Sequence, residues 1–253
     1  PEEYFNMYDL DTIKIPEHKE DDLEDIVDKQ GRQVFEPTED YKWVKQDEEL
    51  FKQTVRAYMA AASYADACAG VILDALENSK YADNTIVVLF GDHGWHLGEK
   101  LRFRKATLWK EATQLPLMIH QPGMDQQQYC QRTVNLIDLY PTLIDLCDLP
   151  DKPELDGESF VPLLDDPSGK WHPTVTDRSE GSHSVISEDW HYVIHDNGAE
   201  ELYDLNNDPY EWNNLIRSAS EEEKKAREYL RTFLPENSKK YVPDYDKDKS
   251  NRN

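Results

Sequence analysis

The feature that most constrains the fold is a long helical pattern that leads into a short, continuous apolar run. Between Asp47 and about Ser79 the chain contains no proline, and its apolar residues recur at the spacing of one helix face. The run Ile86–Phe90 that follows is apolar throughout, which is typical of a strand buried on both faces of a sheet. A helix followed by such a strand predicts an α/β sheet, and we expect a mainly parallel one.

The alternation continues once and then changes character. Pro116–His120 is predicted as a second strand and Val134–Cys147 as a second helix, with Pro141 near its first turn. After Pro150, short strand-like pieces separated by turn residues predict an antiparallel sheet, and a helix follows from about Ser220 to Phe233. These strand-like pieces cover residues 183–187, 190–195 and 201–205.

This change sets the expected domain boundaries. Residues 1–150 are predicted to form an α/β domain, and residues 151–236 a smaller C-terminal antiparallel sheet with a helix. Residues 237–253 are too polar to bury a core, so we expect a mobile tail. Residues 1–46 are acidic and interrupted by proline, which favours an extended surface segment.

The charge balance makes some partners unfavourable. With 52 acidic and 28 basic residues the formal net charge is -24, so we expect no binding to nucleic acid or to an anionic membrane. We find no uninterrupted apolar run near the roughly 20 residues that span a bilayer. An anionic ligand would therefore need a local basic site.

The sharpest motif is GDHGWHLGE, residues 91–99, directly after the first predicted strand. In open α/β sheets, ligands bind at the carboxyl ends of strands. Asp92 offers a hard oxygen and His93 an imidazole nitrogen, and both reach one ion if the backbone turns at Gly91 and Gly94. The alternative is that Asp92 caps a turn and His93 is an ordinary surface histidine.

A group of basic residues, here called the basic cluster, follows this motif in an otherwise acidic chain. Lysine and arginine beside a divalent cation are what a bound sulfate or phosphate requires, although such a charge run is also typical of a solvated surface. The basic cluster consists of Lys100, Arg102, Arg104, Lys105 and Lys110.

Four blocks of sequence make the pattern specific: NTIVVLFGDHGWHLGEK, LWKEATQLPLMIHQPG, NLIDLYPTLIDL and ELYDLNNDPYEWNNL. In this order they resemble blocks of the sulfatase family, in the alkaline-phosphatase-like superfamily, and particularly its iduronate-2-sulfatase-like branch. The resemblance implies the C-terminal half of such a protein, over about residues 1–235. Its fold would be an alkaline-phosphatase-like α/β sheet plus a smaller C-terminal antiparallel sheet with a helix.

The resemblance implies roles for three residues. The family's cation ligands, which usually bind Ca²⁺, match Asp92 and His93, and its sulfate-contacting lysine matches Lys105. Lys105 would thus be the catalytic residue of this chain. The implied reaction is hydrolysis of sulfate esters on an anionic sulfated saccharide, in a periplasmic, secreted or lysosomal setting.

The family's nucleophile lies in a Cys/Ser-x-Pro-x-Arg motif and is converted to formylglycine, and this sequence contains no such motif. Cys68, Cys130 and Cys147 lack that context, so we expect core thiols or a disulfide pair. The resemblance therefore implies that the nucleophile lies in a preceding N-terminal half, attached or separate. The chain would be active only together with that half.

Five further residues are candidates for contact with substrate. His96 and Glu99 follow the expected ligands and are equally suited to stabilising the turn. Arg102 and Arg104 alternate along the chain and would point the same way in extended backbone. His183 begins the C-terminal sheet, either as a subsite residue or as a strand-end histidine without a role.

Two other functions remain open from the sequence. A phosphatase or phosphonate hydrolase of the same superfamily would bind its substrate with the same cation and lysine. A non-catalytic structural or binding subunit would retain half of the site only as structure. The identity of the nucleophile distinguishes a phosphatase or phosphonate hydrolase from a sulfatase. An assay of the chain together with the N-terminal half distinguishes a non-catalytic subunit from an enzyme.

Overall fold

The computed structural model describes residues 1–124 and 126–236, which form two compact units. The first unit comprises residues 1–24 and 35–128, and the second comprises residues 25–34 and the chain from residue 129 onward. The α/β class and the separate C-terminal antiparallel sheet are confirmed. The units divide the chain near residue 128, whereas the domain boundary at residue 150 stays a prediction. The predicted tail, residues 237–253, lies outside the described residues.

Helices dominate the first unit. Its longest helix, α3 (Glu48–Glu77), has the predicted position. Asp47 caps the start of this helix, because its carboxylate accepts the amide hydrogens of Glu49 and Leu50. Phe51 and Val55 near its start are buried. The helices of this unit are α1 Glu2–Asn6, α2 Glu39–Lys45, α3 Glu48–Glu77 and α4 Lys110–Thr113.

Within the described part of the chain, α3 is also the one helix long and apolar enough to cross a membrane. An 18-residue window of α3 has a mean hydropathy of 1.3, and 6% of that window is buried. Asp66 and Asp74 interrupt α3, so it contains no uninterrupted apolar run of this length, although its average hydropathy over a window meets the criterion. The same values fit a helix of a soluble protein whose apolar face is covered by another segment.

The segment before α3 is not the extended connection that its composition predicts. It contains α1 and α2, and Ile13 and Leu23, which lie between these helices in the sequence, are buried. On α2, Tyr41 and Val44 are also buried, and the Tyr41 ring packs edge-on against Phe51 of α3 at 6.4 Å between centroids. These apolar residues are too widely separated to show a period, yet all four are buried in the tertiary structure.

The two predicted strands of the first unit form β1 (Val87–Phe90) and β4 (Leu117–His120), which pair antiparallel with Val87 opposite His120. The expected parallel arrangement and the burial of both faces are therefore wrong for the described residues. Phe90 is 48% and Met118 58% exposed. The strands have the composition of a doubly covered sheet, but within residues 1–124 and 126–236 they pair only with each other.

The second unit is built on a four-stranded antiparallel sheet in the order β5-β6-β7-β8. Three strands match the predicted pieces, and the first was missed because Asp177 and Arg178 interrupt its apolar pattern. The strands are β5 Thr174–Ser179, β6 Ser182–Ile186, β7 Trp190–Ile194 and β8 Glu200–Asp204. In the first unit, two short strands, β2 (His96–Leu97) and β3 (Phe103–Arg104), pair antiparallel and form a hairpin.

The C-terminal helix α7 (Glu221–Arg231) has the predicted position, and it packs on this sheet. Ser220 caps it, because the Ser220 hydroxyl accepts the Glu223 amide hydrogen and the Glu223 carboxylate accepts that of Ser220. Leu230 packs on Val185, Tyr192 and Leu202 in a core that excludes water. Two further helices of this unit are α5 Leu139–Leu146 and α6 Val161–Asp165.

Candidate functional site

The loop after β1 passes very close to another backbone segment at Gly94. The Gly94 amide donates to the Ala112 carbonyl at 2.9 Å, and a Cβ at Gly94 would lie 2.0 Å from the Glu111 carbonyl oxygen. No other residue fits so close an approach of two backbones. A Cβ at Gly91 would meet its nearest neighbour at 3.5 Å, an ordinary contact. Of the two glycines predicted to permit the turn, Gly94 is the one that the structure requires.

The turn brings the donor atoms of Asp92 and His93 together. His93 Nδ1 lies 2.9 Å from the Gly94 carbonyl oxygen, so we assign the ring hydrogen to Nδ1 and the lone pair to Nε2. Asp92 Oδ2 lies 3.5 Å from that Nε2, and the Asp92 side chain is 84% exposed. A backbone hydrogen bond that fixes the imidazole tautomer is characteristic of metal-ligating histidines. The pair therefore presents one oxygen and one nitrogen donor to the same volume.

Lys105 joins this pair. Its ammonium nitrogen lies 2.6 Å from His93 Nε2, and the side chain is exposed. The three residues predicted to carry the chemistry, Asp92, His93 and Lys105, are therefore brought together around one imidazole. Their assigned roles as ligands and sulfate contact stay predictions.

The rest of the basic cluster is divided among different surroundings. The Lys100 side chain is 1% exposed and paired with Asp22. The Arg102 guanidinium lies 4.5 Å from the Trp109 ring centroid, and Arg104 Nε donates to Asp40 Oδ2 at 2.9 Å.

The expectation that Arg102 and Arg104 point the same way needed extended backbone at both. The backbone is extended at Arg102, with φ −152°, but left-handed at Arg104, with φ 76°. The expectation is wrong for this reason, and their contact with substrate stays a prediction.

His96 and Glu99 stabilise the hairpin that carries the basic cluster. The His96 ring is fully buried, with Nε2 2.7 Å from Thr107 Oγ1 and its edge toward Trp109. Glu99 Oε2 accepts the Leu97 amide hydrogen at 2.6 Å. These contacts match the turn-stabilising alternative, and contact of His96 with substrate stays a prediction.

His183 lies in the second unit, on β6. Its side chain is 7% exposed, and Nδ1 lies 2.6 Å from Asp177 Oδ1 on the neighbouring strand β5. The imidazole is thus held by a local carboxylate. Its role as a subsite residue stays a prediction.

The segment from residue 100 to 106 has a strained backbone that the sequence did not reveal. Four residues other than glycine have positive φ, namely Lys100 and Leu101 at 51°, Arg104 at 76° and Ala106 at 66°. Each such residue costs on the order of 1 kcal/mol and persists where its surroundings fix it. The partners that fix this segment, such as Asp22 and Asp40, lie far upstream, so no spacing pattern connects them to it.

A divalent cation requires more ligands than these residues supply. Ca²⁺ takes about 6–8 oxygen ligands, and in the described part of the chain no three His, Cys, Asp or Glu side chains form a group that could hold a metal. Asp92 and His93 therefore supply two donors, and among the described residues these two do not by themselves make up such a site.

The cysteines differ from expectation. Cys68, Cys130 and Cys147 are free and exposed, so they form neither core thiols nor a disulfide pair.

Two family profiles cover most of the chain. The profile described as Sulfatase matches residues 16–149, and the profile described as N-sulphoglucosamine sulphohydrolase, C-terminal, matches residues 91–240. The chain belongs to the sulfatase family. Asp92, His93 and Lys105 all lie within the region that both profiles match.

Known proteins agree with this assignment. The sulfatase-family chain is 34% identical to a sulfatase of Formosa agariphila, over 93% of this chain and 46% of that protein. A protein solved with its substrate, D-glucosamine-2-N,6-O-disulfate, is 25% identical with a TM-score of 0.61, over 76% of this chain and 43% of the solved one. A phosphonate monoester hydrolase from Silicibacter pomeroyi, 19% identical with a TM-score of 0.74 over 95% and 56% of the two chains, shares the fold. The chain spans about half the length of the curated relatives it matches.

Proposed function

We propose that this chain supplies the cation ligands and a sulfate-binding lysine to an enzyme that hydrolyses sulfate esters on a sulfated saccharide. The observation that carries the proposal is the convergence of Asp92, His93 and Lys105, with His93 Nε2 2.6 Å from the Lys105 ammonium. Membership of the sulfatase family supports the reaction class. The neighbour solved with a disulfated glucosamine supports the substrate class.

In this proposal Lys105 is the electrostatic catalyst of the chain. Its ammonium exchanges His93 Nε2 for an oxygen of the sulfate group, and it stabilises the charge that develops on the sulfate oxygens in the transition state. Asp92 and the lone pair of His93 then serve a divalent cation, which we assign as Ca²⁺. Such a cation, when held by Asp92 and His93, would supply Lewis-acid polarisation of the same group.

We further propose that the nucleophile, a formylglycine, lies in a preceding N-terminal half and that turnover requires both parts. No Cys/Ser-x-Pro-x-Arg motif occurs in the sequence. Apolar side chains on α3 and the two-stranded sheet of the first unit are exposed, for example Val71 and Ile72 at 70% each and Met118 at 58%. Exposed apolar surface of this kind marks a region that another segment covers. We expect stable, cooperative folding only in the presence of that half, so free energies of unfolding are measured on the assembled protein.

The four sequence blocks support the finer assignment to an iduronate-2-sulfatase-like branch. On that assignment the substrate is an anionic saccharide, and the enzyme works in a periplasmic, secreted or lysosomal compartment. The basic cluster offers a local site for such an anion in a chain of net charge -24.

The experiment is desulfation by the chain combined with the N-terminal half, fused or as a separate chain. Disulfated glucosamine and 4-methylumbelliferyl sulfate serve as substrates, and methylumbelliferyl phosphate and a phosphonate monoester are assayed in parallel. We expect Lys105→Ala to lower kcat/KM at least 100-fold while the unfolding midpoint stays near that of the parent. Lys14→Ala, at an exposed lysine of the same unit, is the matched control and should leave kcat/KM unchanged.

The outcomes separate the three functions. Preferred turnover of the phosphonate ester or the phosphate ester would identify a phosphonate hydrolase or a phosphatase, a possibility kept open by the shared fold with a phosphonate monoester hydrolase. Saccharide binding without turnover by the assembled protein would identify a non-catalytic subunit. Parent-like desulfation by Lys105→Ala would remove Lys105 from the site.

A further inference from the structure

A buried ion pair lies at the start of the strained segment that carries Lys105. Lys100 Nζ donates to Asp22 Oδ1 at 3.0 Å, and both side chains are 1% exposed. Removing two charges from water is costly, and a well-packed apolar pair of similar volume is often as stable or more so. Stability alone therefore does not explain this pair, and its burial points to a conformational role.

The pair anchors the backbone of the segment. Lys100 and the following Leu101 both have φ 51°, and Leu101 is 3% exposed, so two consecutive left-handed residues have their side chains in the interior. Further along, Lys105 stands between Arg104 at φ 76° and Ala106 at φ 66°. A segment with these values has few alternative paths, so its anchored start determines where its end lies.

Trp109 ties the anchor to the rest of the segment. The Lys100 ammonium lies 5.8 Å and the Arg102 guanidinium 4.5 Å from the centroid of this indole. Trp109 is 2% exposed. One buried ring therefore contacts the anchor and the middle of the segment, so a shift of Lys100 is passed to the residues before Lys105.

We propose that Asp22 and Lys100 are positioning residues, which hold residues 100–106 so that the Lys105 ammonium reaches His93. The catalytic consequence rests on the proposed function, whereas the position of Lys105 is measured without it. Replacing both members by apolar residues, in Asp22→Leu/Lys100→Met, removes the two charges of the pair together, so neither Asp22 nor Lys100 is left without the other. Asp22→Asn keeps the shape and an acceptor oxygen but removes the countercharge of the buried Lys100 ammonium.

The test has one readout in the chain and one in the assembled enzyme. The first readout uses the chain, combined with its N-terminal half where this is needed for solubility. Acetylation of Lys105 by a succinimidyl ester is measured by mass spectrometry, and the His93 ring nitrogens are observed by NMR. We expect the double variant to stay folded, to label Lys105 at least threefold faster and to shift the Nε2 resonance. Asp22→Asn should lie between parent and double variant. Glu48→Ala/Lys52→Ala, which removes a surface ion pair of α3 in the same unit, should match the parent.

In the assembled enzyme the double variant should lower kcat at least tenfold at an unchanged unfolding midpoint. Parent-like labelling and resonances in the folded double variant would overturn the proposal. If that variant does not fold, the same parent-like values in folded Asp22→Asn overturn it. If Lys105 labelling changes in the double variant but the assembled parent hydrolyses no sulfate ester, the positioning role is supported and the proposed function is rejected.

Discussion

The Lys105 ammonium lies 2.6 Å from His93 Nε2, the same nitrogen that Asp92 Oδ2 approaches to 3.5 Å. An ammonium donates to the lone pair that a metal ion would accept, so Lys105 and a cation compete for one atom. A carboxylate, an imidazole and a lysine thus form a compact group in which each can exchange partners.

The first prediction concerns calcium. With two donors available among the described residues, the chain should bind Ca²⁺ more weakly than roughly 1 mM, the weak end of the range for built protein sites. Lys105→Met should tighten binding because it removes the competing ammonium, and Asp92→Asn should abolish it. Calcium titration followed by the His93 ring resonances measures all three. Micromolar binding by the chain alone would contradict the inference that these two donors do not by themselves make up such a site.

The second prediction compares two glycines of the same loop. Gly94→Ala should lower the free energy of unfolding by about 3 kcal/mol or prevent folding, since its Cβ would lie 2.0 Å from a carbonyl oxygen. Gly91→Ala places its Cβ at 3.5 Å and should change the stability by less than about 1 kcal/mol. Urea unfolding of both variants measures the difference. Equal stability of the two would mean that the backbone at Gly94 moves away easily.

The third prediction concerns Tyr41, which is 2% exposed. Its hydroxyl has no hydrogen-bond partner among the described residues, and burial, with Glu20 nearby, raises the pKa of Tyr41 to about 12. Tyr41→Phe should raise the free energy of unfolding by up to about 1 kcal/mol at pH 8, because it removes a buried unsatisfied group.

Alkaline unfolding gives a second measurement on the same variant. The folded pKa of Tyr41 lies above the ordinary value of 10.0, so ionisation of its hydroxyl favours the unfolded state. The stability of the parent is therefore unaffected by this ionisation below pH 10 and falls as the pH rises toward 12. The advantage of Tyr41→Phe should therefore grow over that interval. A destabilised variant at pH 8 would show that the hydroxyl has a bound partner.

The fourth prediction concerns acid and the turn of residues 28–32. The Arg32 amide donating to Asp28, with the Arg32 guanidinium, holds the pKa of Asp28 below its ordinary value of 3.8. Because the folded pKa of Asp28 is lowered, the stabilisation that its ionised carboxylate gives the turn is present above pH 4. It is lost as the pH falls through the folded pKa. The amide resonances of Gln30 and Arg32 should therefore stay fixed at pH 5 and move below pH 4. Asp28→Asn should show shifted resonances with no such acid step.

The sequence by itself determined the features that depend on neighbouring residues. Helix α3 and strands β1 and β4 follow from local periodicity, and the loop with Asp92 and His93 follows from its place directly after a strand. The identity of Lys105 as the third member came from a family resemblance to its motif. These elements require only short stretches of chain, so a single sequence specifies them.

Only the tertiary structure decided how the charges are divided and which strands pair. Lys100 and Lys105 look alike in the basic cluster, but one is buried against Asp22 and the other is exposed beside His93. The antiparallel pairing of β1 with β4 and the course of residues 1–46 also depend on partners that are distant in sequence. Such contacts form through packing of remote segments, and neither residue of a pair carries a local pattern that names the other.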